Sequence, residues 1–384
     1  MSGSIYGTIF RVSTWGESHG KGLGVVVDGC PAGIPLTEGD IQKGLDRRKP
    51  GQNKFVTPRK EDDAVEILSG VFEGKTTGTP ISMLVYNKSQ RSADYSEIAS
   101  YYRPGHADYT YNEKYGFRDY RGGGRSSGRE TIGRVAAGAV AGKLLALLGI
   151  DIFAYSRKIG GIEIVEENFN REEILNNPVC MPDAKAAKKV EQLLEEKIKE
   201  HDSVGGVVEC RITGIPSGIG EPVFEKLSAN LGKAVLSIGA VKGFEIGDGF
   251  AVADAFGSTN NDSFYYKEEG GSQVLKKSSN HGGGIYGGIS DGSEICFRAA
   301  VKPTPSIAKL QKTVNKEGKN IEVSIKGRHD PIIVPRAVVV VESMAAITVA
   351  DMLLVSMSAR MDKIAQFFGR EQCFMEILNK EENL

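Results

Sequence analysis

The sequence predicts an α+β fold that forms one large domain over residues 1–384. Three observations favour this class. Strand-like segments follow one another in hairpin-like pairs, without the βαβ alternation that is typical of a parallel sheet. Helical patterns lie between these pairs and near the end of the chain. No low-complexity linker or fixed-period repeat divides the 384 residues, which are enough for one large core.

Short runs rich in Val, Ile and aromatic residues, bounded by Gly, Pro or Asp, predict the strands. The segments "PISMLVY" (80–86) and "RAVVVV" (336–341) show this pattern. In chain order, the predicted strands cover residues 5–12, 23–28, 64–72, 80–86, 205–213, 293–301, 320–326 and 336–341.

Apolar periodicity and end signals predict the helices. Thr37 and Asp40 approximate a capping box at the start of the first helix, which should end before Pro50. Residues 130–149 show helical spacing and many small side chains, which predicts a closely packed central helix. The other predicted helices cover residues 183–201, Pro222 to about Leu236, and 343–359. Between Ser89 and Gly128 regular periodicity fades, and an irregular segment that long is more often functional than not.

Composition excludes several function classes. The formal net charge of −1 lacks the electrostatic footprint of a nucleic-acid-binding protein, so a basic site would have to be local. The five cysteines are far apart and form no C-x-x-C, which favours reduced thiols in a cytoplasmic protein. No signal peptide is visible, and no continuous apolar run approaches the ~20 residues of a membrane span. The histidine spacings predict no metal site.

Two familiar nucleotide-binding signatures fail on closer reading. "SGVFEGKT" resembles a P-loop, but Ser69 stands where that motif requires its first glycine. "GGGIYG" (282–287) matches G-x-G-x-x-G in letters only, because it follows no apolar strand and precedes no helical pattern.

The segment "RGGGRSSGRETIGR" (121–134) carries the strongest functional signal. Its glycines allow the backbone to approach a ligand closely, and the two serines add hydroxyl donors. Arg125 and Arg129 could make bidentate bonds to phosphate oxygens, and the helix that follows presents its positive end. The segment therefore predicts an anion site, although a solvated basic turn that caps a helix is the alternative. "LDRRKPGQNK" (45–54) is a second basic group, which by itself fits a charged helix end.

His19 and His106 each lie in a polar, glycine-flanked turn. A histidine in such a loop can remain accessible to solvent and titrate near neutral pH, as general acid–base catalysis requires. Either one alone could be a surface or hydrogen-bonded structural residue, but Glu17, Arg103 and Asp108 nearby favour a functional interpretation. In the loop "KGRHDP" (326–331), Asp330 could be a base or could simply cap the turn.

Together these segments resemble the chorismate synthase family from end to end. The resemblance rests on "GESHG" (16–20), "GIPLTEGDIQKGLDRRKPG" (33–51), "RPGHADYTYNEKYGFRDYRGGGRSSGRET" (103–131), "GAVKGFEIGDGF" (239–250), "SNHGGGIYGGISDG" (279–292), "KPTPSI" (302–307) and "GRHDP" (327–331). It implies a β-α-β sandwich, in which a helical layer lies between antiparallel sheets.

The resemblance implies a lyase that converts 5-enolpyruvylshikimate 3-phosphate to chorismate and phosphate, the last common step of the shikimate pathway. This 1,4-anti elimination has no net redox change, yet it requires reduced FMN. By the resemblance, His19 assists departure of the phosphate as an acid, and His106 acts at the reduced flavin. Asp330 is implied to help a flavin nitrogen remove the C6 proton.

Ligand contacts are implied for residues from several segments. The implied FMN contacts are Arg125, Ser126, Ser127, Gly239, Ala240, Gly287, Lys302, Pro303, Thr304, Pro305, Ser306 and Arg328. Arg48 and Lys54 are implied to contact an anion or NADPH. Arg129 and Arg134 are expected to bind anions because they belong to the glycine–arginine segment. Three positions depart from common members: Lys54 replaces Arg, Gly239 replaces Asn, and Gly128 replaces Ala.

The resemblance also implies partners. NADPH is expected only as an indirect reductant, supplied through a separate flavin reductase, and members are usually homotetramers. Neither nucleic acid nor membrane is an expected partner. The alternatives are another FMN-dependent enzyme that performs a reduction, a flavin-independent elimination enzyme, and a non-enzymatic anion- or RNA-binding module.

Overall fold

The computed structural model describes residues 3–55, 61–88, 97–325 and 330–381. The described residues form more strands than helices, and the longest helix lies near the end of the chain. In chain order, the strands are β1 (Ile5–Tyr6), β2 (Arg11–Gly16), β3 (Gly22–Asp28), β4 (Val65–Ile67), β5 (Val71–Phe72), β6 (Lys75–Thr76), β7 (Ile81–Tyr86), β8 (Asp151–Ile159), β9 (Ile162–Glu163), β10 (Gly206–Thr213), β11 (Val241–Ile246), β12 (Phe264–Glu269), β13 (Ser272–Lys277), β14 (Ile285–Tyr286), β15 (Ile289–Ser290), β16 (Ile295–Val301), β17 (Gln311–Val314) and β18 (Asn320–Val323).

The helices differ widely in length. They are α1 (Glu38–Arg48), α2 (Asp108–Tyr115), α3 (Thr131–Leu147), α4 (Glu173–Asn176), α5 (Ala184–Lys199), α6 (Leu227–Leu236), α7 (Gly257–Asn260), α8 (Val334–Ser356), α9 (Met361–Phe367) and α10 (Glu371–Glu381). Short 3₁₀ turns cover Glu97–Ala99, Gly124–Ser126, Gly128–Glu130, Glu166–Asn168 and Gly249–Asp254.

The first large sheet has the strand order β1-β2-β3-β7-β4, and all its neighbouring strands are antiparallel. A tight turn separates β1 from β2. The carboxylate of Asp351 holds this turn, because it accepts hydrogen bonds from the backbone N–H groups of Thr8, Ile9 and Phe10 at 2.8, 2.7 and 2.9 Å. The predicted strand over 5–12 is therefore two strands joined by a turn.

The second large sheet has the order β11-β16-β10-β8-β9 and is also antiparallel. On its central strand, Cys210 lies between Phe297 of β16 and Ala154 of β8. All three side chains are fully buried, so this face of the sheet belongs to the core. The predicted strands over 205–213 and 293–301 are confirmed as β10 and β16.

Helices α1, α3, α6 and α8 form a layer between these two sheets. Helix α3 packs against β3 of the first sheet, and α8 packs against β8 and β10 of the second. The two helices approach closely because Gly138 has no side chain: a Cβ there would overlap Ser343. The predicted helical layer between antiparallel sheets is confirmed, as is the close packing predicted for α3.

The predicted strand over 336–341 is wrong, because these residues lie in α8. This helix begins at Val334, so the helix predicted over 343–359 also starts too late. Val338 through Val341 are all buried, and a helix buried on every side shows no 3.6-residue periodicity. By length and composition α8 could cross a membrane, but 78% of its most apolar stretch is buried within the protein.

Sequence signals at helix ends predicted several other helices correctly. The predicted capping box of α1 is confirmed, since Thr37 and Asp40 exchange side-chain and backbone hydrogen bonds. The helices predicted over 130–149 and 183–201 are confirmed as α3 and α5. The helix predicted from Pro222 begins only at Leu227, and the described part of the segment predicted as irregular contains α2.

Candidate active site

A cavity of about 1290 Å³ opens where α3 and α8 begin. The turn after β2, the loop before α2 and the loops around β11 and β16 complete its wall. Sites for one small ligand usually measure ~300–1,000 Å³, so this cavity has room for two.

The wall of the cavity is basic. Among its described residues, eight guanidinium or ammonium groups face four carboxylates. The basic residues are Arg48, Arg118, Arg125, Arg129, Arg134, Lys242, Lys302 and Arg336. The acidic residues are Glu17, Asp119, Glu130 and Asp330. The cavity can therefore attract anions although the whole chain has a net charge of −1.

Three consecutive glycines lie against two histidines of the cavity wall. Gly122, Gly123 and Gly124 all have positive φ angles, which glycine adopts without steric cost. A Cβ at Gly122 would lie 2.8 Å from Cδ2 of His19, and a Cβ at Gly123 would lie 3.1 Å from Cε1 of His106. The glycine run thus lies against both imidazoles.

His106 is held from behind by a buried ion pair. Nε and Nη2 of Arg103 each donate to the carboxylate of Asp108 at 2.8 Å. Nδ1 of His106 lies 3.0 Å from Nη2 of Arg103 and 3.0 Å from Oδ1 of Asp108. Burial disfavours ionisation of Asp108, but the hydrogen bonds from Arg103 and His106 outweigh burial and hold its pKa far below the usual range.

Arg125 of the glycine–arginine segment is anchored to the first sheet. Nη2 of Arg125 donates to Oγ1 of Thr14 at 2.7 Å, and its Nη1 donates to the carbonyl of Gly16 at 3.3 Å. Arg129 donates in a similar way to Asn87 and Asp63. Both guanidinium groups are thus fixed in the wall of the cavity by protein acceptors.

A buried ionic network closes one end of the cavity. Arg48 and Asp63 form an ion pair from which water is almost excluded, and Arg129 bonds to the other oxygen of Asp63. Burial lowers the pKa of the Arg48 guanidinium to about 10, although Asp63 opposes this. Burial raises the pKa of Asp63, but Arg48 and Arg129 lower it further, so the net shift is downward.

Asp330 enters the cavity beside the first turn of α8. Nη1 of Arg336 donates to its carboxylate at 2.6 Å. Nε of Arg336 also donates to the carbonyl of Arg48, the last residue of α1, at 3.0 Å. Arg336 therefore links the predicted base to the end of α1 and places a further positive charge in the wall.

The loops after α6 and β16 form the remaining wall. Ala240 has a φ of +72°, a conformation that costs a residue with a side chain about 1–2 kcal/mol. The ammonium group of Lys302 donates to the carbonyl of Gly105, next to His106. Burial, assisted by the charge of Lys242, lowers the pKa of Lys302.

Sequence comparison identifies the family. A sequence model of the family described as "Chorismate synthase" matches residues 10–354. The chain belongs to the chorismate synthase family. Chorismate synthases of Lachnospira eligens and Agathobacter rectalis are 67% and 68% identical to it over 370 residues, which cover 96% of this chain and 100% of each relative. It is therefore a carbon–oxygen lyase that acts on phosphates.

A solved structure supports the same conclusion at lower similarity. A crystal structure of chorismate synthase superposes with a TM-score of 0.73 at 32% identity, covering 95% of this chain and 97% of that chain. Chorismate synthase of the archaeon Methanosarcina mazei is 56% identical over 359 residues, which cover 92% of this chain and 97% of that relative. The chorismate synthase fold therefore accounts for nearly the whole chain.

Most of the site residues expected from the sequence share this cavity. Its wall includes His19, Arg48, His106, Arg125, Ser126, Ser127, Arg129, Arg134, Gly239, Ala240, Lys302, Thr304, Pro305, Ser306 and Asp330. Within the wall, Arg134 bonds to Glu130 at 2.9 Å and to Oγ of Ser237 at 2.6 Å. Segments far apart in the sequence thus line one cavity.

Three of the assigned residues lie outside the cavity wall. Lys54 is exposed and pairs with Glu195 of α5 at 2.6 Å. Gly287 lies in the turn between β14 and β15, and Pro303 packs against Gly205. Arg328, the remaining assigned residue, is outside the described part of the chain.

Several residues of this cavity, Arg336 and Lys242 among them, were not singled out by sequence analysis. Arg336 was missed because residues 336–341 were predicted as a strand, which hid its position in the first turn of a helix. Lys242 follows Gly239 and Ala240 closely in the sequence, and that proximity was the only available signal. Within the described residues, no group of three or more His, Cys, Asp or Glu side chains is placed to hold a metal ion.

Proposed function

We propose that the protein converts 5-enolpyruvylshikimate 3-phosphate to chorismate and phosphate by 1,4-anti elimination, with reduced FMN as cofactor. The observation that carries the proposal is the position of His19 and His106. Both line one basic cavity, and both pack against the glycine run between them. A substrate with a phosphate and two carboxylates, together with FMN, accounts for the many cationic groups.

The cavity fits a flavin mononucleotide in three respects. Oγ1 of Thr304 is buried and has no hydrogen-bond partner among the described residues, so it is available to a polar ligand. A Cβ at Gly239 would have no atom within 4 Å, which leaves open space in the wall. Ala240 keeps its strained conformation beside that space, as residues at ligand sites often do.

The predicted FMN residues of the wall would hold the cofactor. Ser126 and Ser127 lie at the glycine run, Arg125 supplies a fixed charge, and the loop Lys302–Ser306 closes the opposite side. When bound, reduced FMN supplies electron density that stabilises positive charge as it develops on the substrate ring. The protein orients the two molecules and moves protons around them.

His19 assists the departure of phosphate in this proposal. Loss of an allylic phosphate builds negative charge on the leaving oxygen, and a protonated imidazole can neutralise it. The side chain of His19 is buried against Gly122, so it is held at one position in the wall. Arg48, Arg129 and Arg134 add fixed positive charge for the substrate anions.

Asp330 takes part in removal of the C6 proton. Its carboxylate is oriented by Arg336 at 2.6 Å and lies in the same wall as His106. A fixed carboxylate can accept a proton, directly or through a ligand nitrogen, without reorganising its surroundings. His106 acts at the flavin.

The proposal extends to organisation and partners. Residues of both large sheets belong to one hydrophobic cluster, which supports a single domain over 1–384. Tyr265 and Tyr266 on the β12–β13 hairpin are exposed, and exposed aromatic side chains support assembly into the expected homotetramer. We expect a cytoplasmic enzyme whose flavin is reduced by a separate flavin reductase, with NADPH as the indirect reductant.

An anaerobic assay tests the reaction. The protein is incubated with dithionite-reduced FMN and 5-enolpyruvylshikimate 3-phosphate, and phosphate, chorismate and flavin absorbance are followed together. The proposal predicts many equivalents of phosphate and chorismate without net flavin oxidation. Stoichiometric oxidation of the flavin would instead indicate a reductase, and phosphate release without flavin would indicate a flavin-independent elimination.

Matched histidine variants assign the activity to the cavity. His19→Gln should lose activity, whereas His201→Gln should retain it, because His201 is exposed after α5 and does not line the cavity. Equal activity of the two variants would contradict the role of His19. Binding of RNA without flavin affinity would favour the non-enzymatic alternative.

A further inference from the structure

We propose that Arg134 is a positioning residue that holds the loop 237–240 against the start of α3 and so sets the width of the cavity between them. The contacts of this chain carry the positioning role, and its consequence for flavin affinity rests on the proposed function. The sequence predicts an anion contact for Arg134, so this role is a different one.

Protein acceptors use almost the whole guanidinium group of Arg134. Its Nε donates to the two carboxylate oxygens of Glu130 at 2.9 and 3.0 Å. Nη1 donates to Oγ of Ser237 at 2.6 Å and to Sδ of Met344 at 3.6 Å, and Nη2 donates to the carbonyl of Ser237 at 3.1 Å. An arginine has five N–H donors, so at most one, on Nη2, is left for a ligand.

The hydroxyl of Ser237 acts as an acceptor in this contact. Its one O–H donates to the carbonyl of Ala234 at 2.6 Å, and a guanidinium group has no acceptor. Oγ therefore accepts from Arg134. Because Arg134 bonds to both the side chain and the backbone of Ser237, it fixes the position and the orientation of this residue.

These bonds join two walls of the cavity that are far apart in the sequence. Glu130 directly precedes α3 and continues the glycine–arginine segment. Ser237 directly follows α6 and begins the loop 237–240. The proposed function assigns residues of both walls to FMN, so Arg134 sets the distance between two surfaces that would contact the cofactor.

The loop 237–240 depends on support from outside. Gly239 has no side chain, and glycine has more backbone freedom than any other residue. Ala240 has a φ of +72°, a conformation that persists only where surrounding contacts enforce it. At the far end of the loop, the backbone N–H of Lys302 donates to the carbonyl of Ala240 at 2.9 Å. Arg134 holds the near end.

The charge of Arg134 is offset by Glu130. The two side chains are mostly buried, with exposures of 18% and 12%, and they form an ion pair at 2.9 Å. The pair as a whole adds little net charge to the wall. Arg134 therefore acts on the flavin mainly through the loop that it holds.

Hydrogen exchange of the full chain without flavin measures the state of the loop. The backbone N–H groups of Ser237, Ile238 and Val241 donate to carbonyls at 3.1, 3.0 and 3.2 Å, so they exchange slowly while the loop keeps its structure. In Arg134→Met, residues 237–241 should exchange about 10-fold faster or more, because hydrogen bonds to a charged group are lost. Unchanged exchange at 237–241 would overturn the inference.

A matched variant shows whether the effect is local. Arg47 makes a similar fork with Glu342 at 2.7 and 2.9 Å, between α1 and α8, and it does not line the cavity. Arg47→Met should leave exchange at 237–241 unchanged. An equal acceleration in Arg47→Met, or an acceleration spread over the whole chain in Arg134→Met, would show general loosening and would overturn the positioning role.

Flavin affinity tests the consequence for the site. Quenching of FMN fluorescence gives the Kd of oxidised FMN for each variant. If the loop keeps its binding conformation about a tenth of the time, the apparent Kd rises about 10-fold, and we expect this of Arg134→Met. Arg134→Lys should weaken binding similarly, because an ammonium group keeps the charge but lacks the planar fork. Wild-type affinity in Arg134→Lys would overturn the inference, since charge alone would then suffice.

A milder variant tests the contact itself. Ser237→Ala removes one acceptor of Arg134 and leaves both its backbone carbonyl and Glu130 in place. Because the two residues share this contact, the double variant of Ser237→Ala and Arg134→Met should raise the Kd of FMN by less than the product of the two single effects. Effects that multiply fully would show that the residues act independently, contrary to the inference.

The outcomes separate this inference from the proposed function. The exchange measurement uses no flavin or substrate and does not depend on turnover. Faster exchange at 237–241 in Arg134→Met, in a protein whose wild type binds no FMN, would refute the proposed cofactor and leave the positioning of the loop standing. Chorismate formation by the wild type, with unchanged exchange in Arg134→Met, would do the reverse.

Discussion

Two Arg–Asp forks of the same chemistry lie beside the glycine run. In each fork the arginine donates its backbone N–H, Nε and Nη2 to one carboxylate: Arg103 to Asp108, and Arg121 to Asp119. The first fork is buried, with side-chain exposures of 4% and 3%, and the second is open, with exposures of 46% and 28%. Only the first has a described hydrogen bond to a histidine.

The comparison shows that burial allows a common ion pair to hold a neighbouring side chain in one position. In the open fork, water can replace either partner, and exposed pairs contribute only about 0–1 kcal/mol. In the buried fork, water is largely excluded, so the pair holds one geometry, and both of its members contact His106. The same residue types thus make a surface contact in one place and orient a candidate catalytic group in the other.

Breaking the buried fork should have the largest effect. Asp108→Asn leaves Arg103 buried without its counter-charge, which typically costs about 3–5 kcal/mol of the free energy of unfolding. Asp119→Asn is the matched variant in the open fork and should cost about 1 kcal/mol or less. Urea denaturation of both variants measures the difference. Equal losses would show that burial does not distinguish the forks.

Removing the histidine that the buried fork holds should have the next largest effect. His106→Ala should lower turnover about 100-fold or more, as loss of a proton-handling side chain usually does. This corresponds to about 2.7 kcal/mol or more of activation free energy. His201→Ala, in an exposed position, should turn over as the wild type does. Wild-type turnover in His106→Ala would remove His106 from the mechanism.

A substitution in the glycine run beside His106 should have a smaller effect. Gly123→Ala would place a Cβ 3.0 Å from Oγ of Ser126 and 3.1 Å from Cε1 of His106, at a φ of +88°. We expect a loss of about 1–2 kcal/mol in stability and reduced turnover. Gly128→Ala is the control, because a Cβ there meets no atom within 4 Å. Thermal denaturation and the chorismate assay measure both; a harmless Gly123→Ala would contradict the close approach.

The buried fork should also weaken in acid. The pKa of Asp108 is lower in the folded protein than in the unfolded chain, where it is about 3.9, so its stabilisation is present above that pH and declines as the pH falls below it. The difference in melting temperature between the wild type and Asp108→Asn should therefore be smaller at about pH 3 than at pH 7. A difference that stays constant over this range would show that ionisation of Asp108 does not stabilise the fold.

The sequence predicted the fold well wherever local signals decide structure. The capping box at Thr37 and the small residues of α3 act within one helix turn or at one helix contact, so their pattern was sufficient. Residues 336–341 were misread because four buried valines satisfy both a strand and a helix that is buried on all sides. Residues 336–341 form a helix because they are buried in the helical layer, and a local sequence pattern does not reveal that burial.

The sequence analysis predicted the loop residues of the candidate site, but it missed Arg336 at the start of α8. The glycine run and His106 carry unusual composition that can be recognised in a few letters. Arg336 contacts the carbonyl of Arg48 across 288 positions of sequence, and such a contact depends on how α1 and α8 pack. The anchoring of Arg125 on Thr14 is likewise a long-range result of the fold.

The central claim is that His19 and His106 act on ligands held in one cavity. A crystal structure of the full chain with FMN and a substrate analogue measures this most directly. The account predicts that both ligands occupy the basic cavity, with His19 near the phosphate of the substrate and His106 facing the flavin. Ligands bound elsewhere, or a ligand complex in which neither histidine makes contact, would contradict it.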